Sequence, residues 1–266
     1  MEFNYTARFI VLACCLFSNH IKAEHIVVAG DWKAQPKNWI NEHYQPEGIM
    51  IDILSEVSKR TGITFSYELS TWNRSLQNSK AGAAAIIGFS KTTEREKIWD
   101  YTVPMYFDEV VFVAQKKDGF EYRGLESLKG KRVAIKRGST YGDDFDTAVA
   151  NGHIILEGTE DRPGQMRMLA LGRVDLVLLS PGNMAFQAIL AENDWLKKNK
   201  DRFEILEPAY KKDANYLGLP KSMNKSHLIP KINQALEAML KDGTRAAIEK
   251  RNIDKFLLFL EDKQSL

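Results

Sequence analysis

Apolar positions along the chain recur in short bursts separated by polar stretches of helical spacing. HIVVAG (25–30) is a near-continuous apolar run ending at a glycine, which predicts a buried strand. In GIMIDILSEVSKRTG (48–62), Ile51, Leu54 and Val57 share one helical face and Gly62 stands where a helix would stop. ITFSYEL (63–69) alternates Ile63, Phe65, Tyr67 and Leu69 with polar residues, the period of a half-buried strand. WNRSLQNSKAG (72–82) predicts a short helix and AAAIIGF (83–89) a second buried strand. Strand–helix alternation of this kind predicts an α/β fold with a mostly parallel sheet.

The rhythm then restarts. EVVFVAQKK (109–117) and RVAIK (132–136) read as strands, RGSTYGDDFD (137–146) as a loop entering a helix, and HIILEG (153–158) as a strand. A helix (161–172), the strand RVDLVLLS (173–180), helical AFQAILAEN (185–193) and extended FEILEPAY (203–210) follow. NYLGLPKS (215–222) returns as a strand, and two helices, 229–243 and 244–252, close the pattern. Two βα sets with no low-complexity linker between them predict two lobes joined by extended strands rather than by a flexible tether.

The N-terminus breaks the pattern. Arg8 precedes the apolar FIVLACCLF (9–17), and NHIKA ends at Ala23, the layout of a secretory signal over residues 1–23. The apolar stretch is well short of the roughly 20 residues a spanning helix needs. Cleavage after Ala23 would remove Cys14 and Cys15, leaving an exported, periplasmic chain whose stability rests on packing rather than a disulfide.

Composition narrows the function. With 266 residues, 44% apolar and 27% charged, the chain can bury a real core. A net charge of +2 is too small to imply nucleic acid or an acidic membrane, and the basic run KKNKDR is broken by Asp201. The five histidines are scattered, with no metal-ligand spacing and no G-x-S-x-G elbow, so neither a metal, a cofactor nor an enzyme is expected. Glu42, His43 and Glu47 are the only loop residues worth watching as a cleft acid or base.

Chemistry is concentrated in GFSKTTEREKIWDYTVPMYF (88–107), directly after a buried strand. Thr93 and Glu96 fit a capping box, which puts Arg95 in the first turn of a helix. Unpaired N–H groups there favour an anion, so an arginine at that end is intelligible if it faces one. A guanidinium grips a carboxylate through two parallel bonds, and Ser90 would add a hydroxyl. The alternative is a surface pair of Arg95 with Glu96 or Asp100. RGSTYGDD (137–144) has the same grammar: a strand, Gly138, then the hydroxyls of Ser139 and Thr140 before a helix, though such residues are also ordinary helix caps. Two such turns, one in each lobe, invite a ligand between them.

Taken together, PEGIMIDILSEVSKRTGITFSYEL, the S-x-T-x-x-R element followed by DYTVPMY, SLKGKRVAIKRGSTYGDDF and LALGRVDLVLLS cover most of 47–220. In this order and spacing they resemble the bacterial family 3 extracellular solute-binding proteins, the polar-amino-acid receptors of ABC importers. The resemblance implies a two-lobe Venus-flytrap fold, with residues 24–108 and 212–266 in lobe 1 and 109–211 in lobe 2. It implies a monomer that captures a small carboxylate-bearing solute, an amino acid or derivative, for a membrane permease, with no cofactor. Arg95, Ser90, Thr140 and Ser139 would meet the carboxylate, the Gly88 carbonyl the amino group, and Trp72 one ligand face. Asp31 and Trp32 fall at the cleft end of the first strand. Where the family usually places an acidic residue after G-R-V-D, this chain has Ser180, so recognition of an α-ammonium is less firmly implied than that of a carboxylate. A dehydratase-like enzyme or a sensor on the same fold are the rival functions.

Overall fold

The computed structural model describes residues 24–265, so the expected leader, 1–23, and both cysteines lie outside the described residues. The chain opens with β1 (His25–Asp31), then a small antiparallel sheet of β2 (Lys33–Ala34), β3 (Asn38–Ile40) and β4 (Pro46–Glu47). α1 (Ile49–Thr61), β5 (Thr64–Ser70), α2 (Trp72–Lys80), β6 (Ala85–Phe89), α3 (Thr93–Glu96) and β7 (Trp99–Tyr101) follow. β1 lies between β5 and β6, parallel to both. The predicted α1 stripe, Ile51, Leu54 and Val57, is buried against Ile26 and Val28 of β1. Gly62 ends that helix in the left-handed conformation, φ 74°, its N–H donating to the Ser58 carbonyl, a conformation a side chain would strain.

The second half contains β8 (Tyr106–Gln115), β9 (Lys131–Lys136), α4 (Asp143–Ala150), β10 (Ile154–Thr159), α5 (Arg162–Ala170), β11 (Leu176–Leu179), α6 (Gly182–Ala191), α7 (Asp194–Lys198) and β12 (Phe203–Ile205). β13 (Lys211–Pro220) then returns, and α8 (Ile229–Lys241) and α9 (Thr244–Ser265) pack back on the first half. The strand order is β10-β9-β11-β8-β13-β6-β1-β5, with β12 on β8 and β7 on β13.

β8 and β13 carry the architecture. They pair antiparallel from Tyr106↔Asn215 to Val110↔Lys211, while β8 also pairs with β11 and β13 with β6. One ribbon therefore belongs to both lobes, as the absence of a linker predicts. Strands joined through helices are parallel within each lobe, and the crossing strands are antiparallel, so the curled sheet is mixed rather than uniformly parallel. The final helix runs 13 residues past the predicted end at 252. Its buried positions, Ile248, Asn252, Phe256 and Leu260, recur every fourth residue, and the polar Asn252 in that stripe donates to Asp52 of α1 at 2.8 Å.

Candidate functional site

The β6–α3 turn is shaped by Gly88, whose φ of 72° favours glycine and where a Cβ would lie 3.0 Å from the Asn38 side-chain oxygen. Helix α3 is capped by Thr92, not Thr93: the Thr92 hydroxyl accepts from the Arg95 N–H at 3.3 Å. Thr93 instead donates its hydroxyl across the cleft to Asp143 of α4 at 2.7 Å, and Glu96 pairs with Lys91. The cap is thus shifted by one residue and the expected capping box does not form, since Arg95 stands at the third helical position and Glu96 is held by Lys91.

Arg95 keeps its place in the first turn, and it points inward, only 8% exposed. Its Nη1 donates to the Ser90 carbonyl at 2.9 Å and its Nη2 reaches over to the Gly138 carbonyl at 3.3 Å. The guanidinium lies 4.9 Å from the Phe89 ring centre and 5.9 Å from that of Trp72. It does not pair with Glu96 or Asp100; the latter is taken by Ser226 and Lys221. Among the described residues no carboxylate oxygen comes within 4.0 Å of it. Burial depresses its pKa to about 10, outweighing the opposing pull of Tyr101, Asp146 and Asp213. Relative to its ordinary value of 12.5, that is a standing cost of about 3 kcal/mol for keeping the charge. A carboxylate delivered to this spot would recover it.

Across the cleft, β9 ends in a turn through Gly138 at φ 77°. The Ser139 N–H donates to the Lys136 carbonyl at 3.0 Å, and the Thr140 hydroxyl donates to Asp146 at 2.7 Å. α4 begins only after Gly142, so neither hydroxyl caps it.

The two turns meet at a cavity of about 70 Å³ whose wall includes Asp31, Trp72, Gly88, Ser90, Arg95, Ser139, Thr140 and Ser180. Trp32 does not line it: 43% exposed, it faces a neighbouring groove with Gln35 and Thr71. Trp72 is buried, and its indole N–H has no hydrogen-bond partner among the described residues. Asp31 forms an ion pair with Lys136 of β9, a third bridge across the cleft. Ser180 sits at the end of β11 as the sequence predicts, but its hydroxyl donates to Asp108 at 2.9 Å. Asp108 also receives Lys37 at 2.6 Å and Asn215 at 2.8 Å, which leaves it saturated behind the wall. Glu42, His43 and Glu47 lie elsewhere, on a groove beside α9, where Lys255 holds Glu47 at 2.9 Å.

Sequence reasoning missed Asp213, Lys136, Arg162 and Gln165, all on the cavity wall. The Ser90 hydroxyl donates to Asp213, and Lys211 lies 3.0 Å from the same carboxylate. An acidic group is therefore present at the cavity, supplied by the crossing strand β13 rather than by the end of β11. Its signal is a charged residue in the buried phase of an alternating strand: 213, 215, 217 and 219 are all buried.

The chain matches the family profile of bacterial extracellular solute-binding proteins, family 3, over residues 26–255. It is 23% identical to the L-cystine-binding protein TcyJ of Escherichia coli K12 over 77% of this chain and 73% of that one. It is 27% identical to the putative ABC transporter arginine-binding protein 2 of the same strain, over 85% and 89%. Among solved structures, an ancestral arginine-binding protein bound to arginine superposes with a TM-score of 0.68 at 24% identity, covering 85% of this chain and 97% of that one. A histidine kinase sensor domain similar to periplasmic binding proteins gives 0.68 at 21% identity, covering 86% and 96%. A two-lobe binding fold is thus shared by receptors and sensors, while the family match extends over nearly all described residues. The chain belongs to family 3 of the bacterial extracellular solute-binding proteins.

Proposed function

We propose that the cavity between the lobes takes a small carboxylate-bearing solute, an amino acid or derivative, and that the closed protein presents it to a separate ABC permease. One observation carries this reading: a buried guanidinium on the cavity wall whose side-chain hydrogen bonds, among the described residues, go to two backbone carbonyls and to no carboxylate. Bidentate capture by Arg95 anchors the carboxylate. Ser90, Ser139 and Thr140 surround it, and Trp72 covers one face of the solute. An α-ammonium is received by the Gly88 carbonyl and by Asp213, which replaces the acidic residue missing at Ser180. The relatives named for arginine and cystine are consistent with an amino-acid-like solute.

Closure follows from the same contacts. The β8–β13 ribbon is the hinge, between lobe 1 (24–108 and 212–266) and lobe 2 (109–211). The solute stabilises the closed form because Arg95 comes from one lobe and the hydroxyls from the other. Driving such an equilibrium from 1:99 to 99:1 needs about 5.5 kcal/mol of differential affinity. The protein acts as an exported monomer, with residues 1–23 as its leader, and binds without turnover.

A thermal-shift screen of the purified protein against amino acids, opines, amines and small carboxylates tests this, since a bound solute raises apparent stability. Carboxylate-bearing compounds should shift the transition and amines alone should not. A hit set made only of amines would refute the anchor, and conversion of a bound acid would show an enzyme instead.

A further inference from the structure

Around Arg162 and Lys136 the cavity wall carries positive charge that Asp31 alone does not balance. Arg162, the first residue of α5, donates from Nη1 to the Lys33 carbonyl and from Nη2 to the Ser180 carbonyl, both at 2.8 Å. Among the described residues it too has no carboxylate oxygen within 4.0 Å. Lys136 stands beside it. Burial lowers the Lys136 pKa; Asp31 opposes that shift, and Arg162 and Lys37 add to it. The charged side chains on the wall are Lys37, Arg95, Lys136 and Arg162 against Asp31 and Asp213, an excess of two positive charges. Among the partners just behind the wall, Asp108 and Lys211 cancel, and Asp146, which accepts from Thr140, lowers that excess to one positive charge.

Gln165 is the second, independent observation. It lies one turn after Arg162 on the same face of α5, is 1% exposed, and lines the cavity. Neither its amide oxygen nor its amide nitrogen has a hydrogen-bond partner among the described residues. A buried amide with nothing to bond is costly unless a guest completes it.

We propose that the solute carries two acidic groups, one gripped by Arg95 and the other by Arg162, Lys136 and the Gln165 amide: a dicarboxylate or an amino acid with an acidic side chain. This rests on the reading of the cavity as the solute site. It separates this chain from relatives named for arginine, because a cationic side chain would end against Arg162 and Lys136 with nothing left to neutralise it.

Isothermal titration of the purified protein with L-glutamate, L-aspartate, succinate and glutarate, against L-glutamine and L-arginine, tests the proposal. At least one diacid should bind, and L-glutamate should exceed its neutral isostere L-glutamine by roughly 30-fold or more, the scale of a lost buried charge partner. Arg162→Gln should erase most of that preference, weakening L-glutamate far more than L-glutamine, and Gln165→Leu should weaken the diacid by roughly 10-fold. Glutamine or arginine binding as tightly as every diacid would overturn the second acidic site while leaving the cavity assignment intact. So would an Arg162→Gln variant that weakens all ligands equally, since Arg162 would then only latch the lobes. Failure of every probe to bind would remove the solute site and this inference with it.

Discussion

On the β6–α3 side of the cavity, a guanidinium is wedged against two aromatic rings and tied to two carbonyls, with its charge uncompensated. On the β9–α4 side, a turn of nearly the same sequence grammar presents hydroxyls, yet Thr140 already donates to Asp146 within its own lobe. The first face is preorganised and gains the full value of an arriving anion. The second must exchange one acceptor for another, so its net gain is small. If the cavity holds the proposed solute, similar local sequences divide the labour: one side would set affinity, and the other would sense the solute and let the lobes close around it.

The largest expected effect comes from removing the anchor. Arg95→Met should reduce affinity for any carboxylate probe by roughly 30-fold to several-thousand-fold, the range for truncating one partner of a buried charge pair. Arg95→Lys should also fall far short of wild type, because an ammonium cannot supply the fork. The unliganded Arg95→Met protein should melt close to the wild-type temperature. Its loss of two hydrogen bonds, about 1 kcal/mol each, and of the contacts with the Phe89 and Trp72 rings is roughly balanced by the about 3 kcal/mol released from the buried charge. A large drop in melting temperature would instead make Arg95 a structural strut and erase the contrast between the faces.

Next in size is Asp213→Asn. If Asp213 takes the α-ammonium, the variant should weaken amino acids by roughly 30-fold and leave carboxylates lacking an amine within a few-fold. Equal losses for both would return Asp213 to an internal role with Ser90 and Lys211.

How much of this could be seen in the chain beforehand follows from the range of each interaction. The α1 stripe, the β6 run and the strand-to-helix turns are local patterns, and they were legible because burial on one face leaves a period. Thr92 and Thr93 were indistinguishable as caps, since either hydroxyl is chemically able. The choice is made by the extended backbone at Thr92 and by Asp143, 50 residues away, which claims Thr93. Asp108, Arg162 and Gln165 were illegible for the same reason: what gives each its role is a partner, or the lack of one, across the fold. Asp213 was the exception that could have been read, as a carboxylate standing in the buried register of β13.

A pH titration sharpens the contrast at moderate size. Arg95 must be protonated to hold an anion, and its pKa in the folded protein is about 10. Affinity for glutarate should be flat below pH 9, fall as pH rises through 10, and be about tenfold weaker by pH 11. Lys136→Met serves as background, to remove the neighbouring lysine. The unfolded chain keeps that arginine protonated up to its ordinary value of 12.5, so between about 10 and 12.5 it binds more protons than the folded one. The stability penalty of Arg95 is therefore complete below pH 10 and shrinks above it. A flat affinity profile to pH 11 would mean that the anchor is not desolvated.

The smallest effect belongs to the opposite face. Thr140→Val keeps the shape of the side chain and removes one hydroxyl that, in the free protein, is already spent on Asp146. Binding then loses one bond to the solute but no longer has to break the internal one, so affinity should fall only about threefold. Asp146→Asn should move the other way, because it weakens the competing acceptor and removes a negative charge whose field reaches Arg95. If the two changes are combined, the gain from Asp146→Asn that comes through the hydroxyl should vanish, and a double-mutant cycle reads that coupling directly. Full additivity would show that Thr140 never leaves Asp146, and the second face would then close over the solute without touching it through this residue.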